Sequence, residues 1–381
     1  MTRSVRAYLD WNATAPLSAA AQAAMRAVWE EGPLNPSARH RAGQRARAII
    51  EEARETMATH LGCRPEEIIF TSGGTESANL AVKGAPVARY LVSFMEHPAV
   101  MRPAKASGRP VSLIEVDENG IVDLNALSRH LVADAADDAP ALVCLMRASN
   151  ETGVIEPVHQ AVDIAREHGA LIFCDAVQAV GKIPVDFADL GVDMLALSAH
   201  KFGGPQGTGA LIVREGVELE PLLHGGGQER RRRSGTENVA AIAGMAAALA
   251  EVCENMAEKA KRLSALRDEL EAGIRALLPE AVIFSKDAPR VPGTCYFAHP
   301  AWDAQTALMH FDLDGIAVSA GSACHAGKGE VSRALIAMGV PRDLAKRAIR
   351  VSMGPGTGKE DIALFLHSLE KLARRLKRSA A

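Results

Sequence analysis

The sequence predicts an α/β protein: a mostly parallel sheet flanked by helices, joined to a smaller α+β unit. Three observations carry this expectation. Short apolar runs alternate with helical patterns from about residue 50 to 215, as a parallel sheet with crossover helices requires. Several of those runs stop abruptly at polar, glycine-bearing turns, and ligands on such sheets sit beyond the carboxyl ends of the strands. From Val239 the pattern turns helical, and short strand-like runs return only after residue 278.

The first informative run is Ile68-Ile69-Phe70-Thr71, which leads into Ser72-Gly73-Gly74-Thr75-Glu76 and a helical pattern. Glycines let a backbone approach an anion closely, and the free N–H groups of a helix start bind phosphate. The spacing is neither Walker A nor GxGxxG. Taken alone, Gly74-Thr75 is an ordinary helix start. The second run, Leu171-Ile172-Phe173-Cys174, ends in Asp175. A carboxylate there is costly to bury unpaired, and a protonated pyridine nitrogen would satisfy it. Gln178, three residues on, can donate to a ring oxygen. The third run, Asp193-Met194-Leu195-Ala196-Leu197, feeds Ser198-Ala199-His200-Lys201-Phe202-Gly203-Gly204. A lysine at such a strand mouth suits covalent attachment of pyridoxal phosphate (PLP) through its amine. A lone lysine in a βα loop would mean little; the order phosphate loop, strand-end Asp, strand-end Lys is what gives it weight. Ser198 and His200 are placed to donate to a phosphate. His200 has no second histidine at i+4 and no acidic cluster nearby, so no metal site is expected.

Residues 240–250 are alanine-rich and 251–278 carry charges at helical spacing, which predicts one long connecting helix. Strand-like runs at 293–297 and 315–319 follow, then helices to a basic end at residues 372–378. The 381 residues can bury one large core and one smaller one. A formal charge of −3 argues against nucleic acid as the main ligand. No apolar run approaches a membrane span and no signal peptide is evident. The six cysteines, Cys63, Cys144, Cys174, Cys253, Cys295 and Cys324, have no CxxC spacing, which predicts reduced thiols in a cytoplasmic setting.

With these motifs in their order, the chain resembles the fold-type-I PLP enzymes of aminotransferase class V, and most closely the cysteine desulfurases of the NifS/IscS type. The resemblance runs from Tyr8-Leu9-Asp10-Trp11-Asn12-Ala13-Thr14 to the last helix. It implies a large PLP-binding domain over residues 15–259 and a small domain over 1–14 and 260–381. It implies a homodimer, L-cysteine as substrate and a sulfur-acceptor protein as partner. His97 in Glu96-His97-Pro98 matches the histidine that stacks on the cofactor and serves catalysis. Asn150 matches a residue near the ring oxygen and the substrate. Arg350 and Asn35 match positions on the substrate side, Arg350 as a grip on the amino-acid carboxylate. Thr236 matches a threonine that reaches the phosphate of the partner's cofactor.

Cys324, in Ser322-Ala323-Cys324-His325-Ala326-Gly327-Lys328, matches the catalytic cysteine of these enzymes. Its small neighbours predict an exposed, mobile thiol, and His325 and Lys328 would favour the reactive thiolate. The chain departs from the usual pattern at Arg147, at Ser149, and after Cys324, where His325-Ala326 and Glu330-Val331-Ser332 stand. Four arginines, Arg230 to Arg233, follow a triple glycine and read as an anion site or a solvated basic loop. Selenocysteine lyase, cysteine-sulfinate desulfinase and class V aminotransferase activities remain open, as does a role mainly as a docking platform for sulfur transfer.

Overall fold

The computed structural model describes residues 5–133, 140–320 and 331–380. Near the N-terminus β1 (Ala7–Tyr8) lies outside the main sheet. The main sheet takes, in chain order, β2 (Ile68–Thr71), β3 (Arg89–Ser93), β4 (Val111–Ile114), β5 (Ala141–Cys144), β6 (Leu171–Asp175), β7 (Met194–Ser198) and β8 (Gly209–Val213). Among the described residues their spatial order is β2-β8-β7-β6-β5-β3-β4. β8 runs antiparallel to β2 and β7, and the remaining pairings are parallel. This is the mostly parallel sheet that the sequence predicts.

Both faces are covered, which is why the strands read as unbroken apolar runs. Alternate side chains serve opposite cores. Ile68, Phe70, Leu195 and Leu197 enter the core beneath helices Arg41–Leu61 and Val239–Cys253. Ile69, Met194 and Ala196 enter the core with Leu80 and Val100, beneath helices Gly74–Gly84 and Pro98–Ala106.

A second cluster gathers Leu270, Phe297, Phe311 and Phe365 with Ala7 and Leu9 from the N-terminus. It packs on an antiparallel sheet of β9 (Val282–Ile283) and β10 (Thr294–Ala298) with a third strand. β11 (Ile316–Ala317) pairs in parallel with β1, and β12 (Ala348–Ser352) is that third strand, in the order β12-β10-β9.

The expected single helix over residues 240–278 is two helices. Val239–Cys253 and Met256–Leu277 meet at a bend of 72°. Glu254 is extended and Asn255 is left-handed at φ 51°. Asparagine tolerates that conformation better than most residues, so the chain can turn there. The first helix is apolar because it packs between helices Ala19–Glu30 and Arg41–Leu61. No single helix among the described residues is long and apolar enough to cross a membrane.

Candidate active site

The carboxyl ends of the sheet converge on a cavity of about 380 Å³. The turn after β2 supplies Gly74 and Thr75, the turn after β3 supplies His97, and the segment after β5 supplies Met146, Ala148 and Asn150. β6 ends in Asp175 with Gln178 beyond it, and β7 ends in Ser198 with His200 and Lys201 beyond it. Arg350 enters from β12 across the cavity. Ten of the residues singled out by sequence therefore share one space.

Gly73 has φ 146°, which only glycine adopts without strain. A Cβ on Gly74 would lie 2.8 Å from Val177 Cγ2, and one on Gly209 would lie 2.7 Å from Gly73 Cα. The missing side chains bring a helix N-terminus and its unsatisfied N–H groups against β6 and β7. Glu76, in the first helical turn, accepts from Ser72 N and pairs with Arg233 at 2.7 Å.

Asp175 Oδ1 accepts from Val177 N at 2.9 Å. Loss of water pushes its carboxyl up to about 6, against the pull of that N–H and of Lys201. Near neutral pH it is mainly ionised. Lys201 Nζ donates to the carbonyls of Asn12 and Ala13, each at 2.8 Å. His200 Nδ1 lies 3.2 Å from Thr14 Oγ1. Burial, with Lys201 adding to it, brings its ring down to about 4, so His200 is neutral at physiological pH. His97 Nδ1 accepts from Ala99 N at 3.1 Å and caps the helix Pro98–Ala106. That bond places the remaining proton on Nε2.

Arg350 is 2 % exposed. Its Nη2 pairs with Asp10 Oδ1 at 2.8 Å and its Nη1 donates to Asn150 O at 2.8 Å. Asn35 and Thr236 do not line the cavity in this chain. Asn35 is exposed and accepts from Ser37 N, and Thr236 is exposed in the loop before helix Val239–Cys253. Cys324 lies outside the described residues. The five cysteines that are described are poor thiolates, because burial pushes Cys63 up to about 12 and raises Cys144, Cys174, Cys253 and Cys295 as well.

Sequence reasoning missed several groups. Asp10 and Asn12 were visible only as part of a motif, yet Asp10 holds Arg350 and Asn12 holds Lys201. Lys182 donates to Asn12 Oδ1 at 2.7 Å and to Gln178 Oε1. Glu96 is buried beside the site, with Oε1 accepting from Met146 N and burial holding its carboxyl well above the usual range. The arginine run is divided in its duties. Glu229, Arg230 and Arg231 are left-handed in succession, at φ 46°, 56° and 68°. Glu229 is buried in a two-pronged pair with Arg54, Arg233 holds Glu76, and Arg232 donates to Glu66 O, while Arg230 and Arg231 are exposed.

A doubly covered sheet with a phosphate-type helix start, a strand-end carboxylate and a strand-end lysine around one cavity defines a PLP-enzyme architecture. Comparison with known proteins identifies the group. The aminotransferase class-V family matches residues 7–365, and the chain belongs to that family. It is 40% identical over 379 residues to the cysteine desulfurase IscS of Dictyoglomus turgidum, covering 97% of this chain and 95% of that protein. It is also 40% identical, over 388 residues, to the IscS-like cysteine desulfurase of Mycobacterium tuberculosis, covering 98% of each. The solved structure of a NifS-like protein from Rickettsia africae superimposes with a TM-score of 0.89 at 34% identity, covering 97% of this chain and 99% of that one.

Proposed function

We infer that this chain is a PLP-dependent L-cysteine desulfurase, converting L-cysteine to L-alanine and mobilising the sulfur. The observation that carries the assignment is the single cavity shared by Gly74, Thr75, Asp175, Ser198, Lys201 and Arg350. Its residues fit PLP. The helix start at Gly74, with Thr75, Ser198 and His200, offers neutral donors to a phosphate. Asp175 offers an anionic partner to a pyridinium N–H. Lys201 supplies the amine for attachment, His97 a ring face, and Gln178 and Asn150 amides near the ring oxygen. When bound, PLP supplies the electron sink that makes the substrate Cα–H acidic.

This chain's residues do the rest. Arg350 receives the substrate carboxylate, with Asp10 and Asn150 holding the guanidinium in place. Lys201 Nζ takes the Cα proton and returns one, helped by a site where Asn12 and Ala13 carbonyls orient it. Neutral His200 neither repels Lys201 nor competes for that proton. Cys324 Sγ attacks the substrate sulfur. An S–S bond forms, the C–S bond breaks, and its electron pair stays with the carbon skeleton released as alanine. The persulfide on Cys324 is then passed to an acceptor protein. The desolvated state of the other described cysteines supports Cys324 as the carrier. The exposed Thr236, at the end of the arginine loop, supports a homodimer in which it reaches the partner's cofactor. Asn35 would join the substrate side in that assembly. The separate cores support a large domain over 15–259 and a small one over 1–14 and 260–381.

The test is direct. The PLP-loaded protein, given L-cysteine and a reductant, should release alanine and sulfide in equal amounts. Cys324→Ser should keep the visible band and yield no sulfide. Lys201→Ala should lose the borohydride-sensitive band. Sulfide release at the wild-type rate from Cys324→Ser would return the chain to a class V activity that needs no thiol.

A further inference from the structure

Behind the proposed cofactor cavity lies a second one of about 290 Å³, walled mainly by apolar side chains including Trp11, Val252, Leu263 and Met353. Asn12 and Lys201 line both cavities. Lys182 lines only the rear one, and the mechanism above does not use it. Loss of water lowers its amine well below the ordinary range, with Lys201 and Arg350 adding to the effect. Such a group is costly to keep unless its position does something.

Lys182 Nζ touches two amide oxygens, Asn12 Oδ1 at 2.7 Å and Gln178 Oε1. An amine carries at least two N–H donors in either protonation state, enough for both oxygens. A side-chain amide whose oxygen is held must turn its NH2 the other way. The bonds on the far side agree. Gln178 Nε2 donates to Asn12 O at 2.9 Å, and Asn12 Nδ2 donates to Thr294 Oγ1 at 3.0 Å and Asn150 O at 3.3 Å. Asn12 O also accepts from Lys201. One half-buried lysine amine thus decides which end of each side-chain amide is donor and which acceptor across the wall that carries Lys201.

We propose that Lys182 is a positioning residue that acts from the rear cavity by locking the Gln178 and Asn12 side-chain amides, so that Gln178 Nε2 donates one N–H to the Asn12 main-chain carbonyl, which also seats Lys201, and keeps its second N–H for the cofactor wall. The proposal rests on the assignment of the front cavity as a PLP site. Without Lys182 the Gln178 amide is free to rotate, and a donor to the ring oxygen is lost.

The experiment compares the PLP-loaded wild type with Lys182→Met, Gln178→Ala and the double variant. The readout is the midpoint pH of the visible absorption band. Losing a donor near an anionic oxygen favours the protonated form, so Lys182→Met and Gln178→Ala should each move the midpoint upward by about one unit. If Lys182 acts through Gln178, the double variant should match Gln178→Ala alone. Additive shifts would overturn the proposal, since they would mean that Lys182 acts independently of Gln178. Lys182→Leu takes the place of the methionine variant should that fail to fold. A second readout is independent of the cofactor: in the crystal structure of the Lys182 variant, Gln178 should leave its bond to Asn12 O. Gln178 and Asn12 unmoved would also overturn the proposal. A wild type that takes up no PLP would instead sink the assignment of the front cavity, while the crystal readout would still decide the role of Lys182.

Discussion

Two buried arginine–carboxylate pairs in this molecule look alike and behave differently. Arg54 and Glu229 form a closed set. Arg54 Nη1 and Nη2 reach both Glu229 oxygens at 3.1 and 2.9 Å, Arg54 also donates to Ile68 O, Glu229 also accepts from Phe70 N, and the guanidinium lies 4.5 Å over the Phe70 ring. Arg350 and Asp10 form an open set. A single bond joins them, a second goes to Asn150 O, and Arg350 Nε has no partner among the described residues. The first pair fastens a left-handed loop to the sheet. The second lines the proposed cofactor cavity. Arg350 differs from Arg54 in lining that cavity, and this places Arg350 rather than Arg54 to take a ligand.

The sharpest way to break the comparison is Arg54→Met, which strands Glu229 in the core. It should cost about 3–5 kcal/mol of stability in chemical denaturation, as for other broken buried pairs. The loop of residues 224–236 should become protease-sensitive at the same time. Arg350→Ala should weaken cysteine binding by about 2–5 kcal/mol while leaving PLP content unchanged. Substrate titration of the visible spectrum measures this, and an unchanged affinity would make Arg350 as structural as Arg54. Glu156 sharpens the contrast from the carboxylate side. It is buried, Oε2 accepts from Val122 N at 2.9 Å, Oε1 has no partner among the described residues, and burial holds the carboxyl up at about 8. The folded state keeps the proton that the unfolded chain releases at an ordinary carboxylate pH. Stability should therefore fall as pH rises from that range toward 8, then level off. Glu156→Gln should match the wild type near pH 4 and gain about 1–3 kcal/mol at pH 9, as melting curves across that range will show.

Strand-end positions were legible because a buried parallel strand announces itself as a continuous apolar run, and the next polar residue is its carboxyl end. Asp175, Lys201 and the Gly73-Gly74-Thr75 turn are found that way. Asn12 and Lys182 are not, because their meaning lies in pairings with residues about 170 positions away, such as Lys182 with Asn12, which no local pattern records. The family resemblance marked Arg350 but not Asp10, its partner 340 residues away. The break at Asn255 was missed for the opposite reason: helical charge spacing continues through it, and one residue's backbone choice overrides the pattern.

The stretch from β1 to Ala15 has the mechanics of a crank. Leu9 N donates to Ala317 O at 2.9 Å and Leu9 O accepts from Ser352 N at 2.8 Å, fixing one end to the small sheets. Six residues on, Ala15 N donates to His200 O at 2.7 Å, fixing the other end beside Lys201. Between them, the carbonyls of Asn12 and Ala13 seat the Lys201 amine. The bed under the Lys201 amine is therefore pinned at one end to the same β12 strand that carries Arg350.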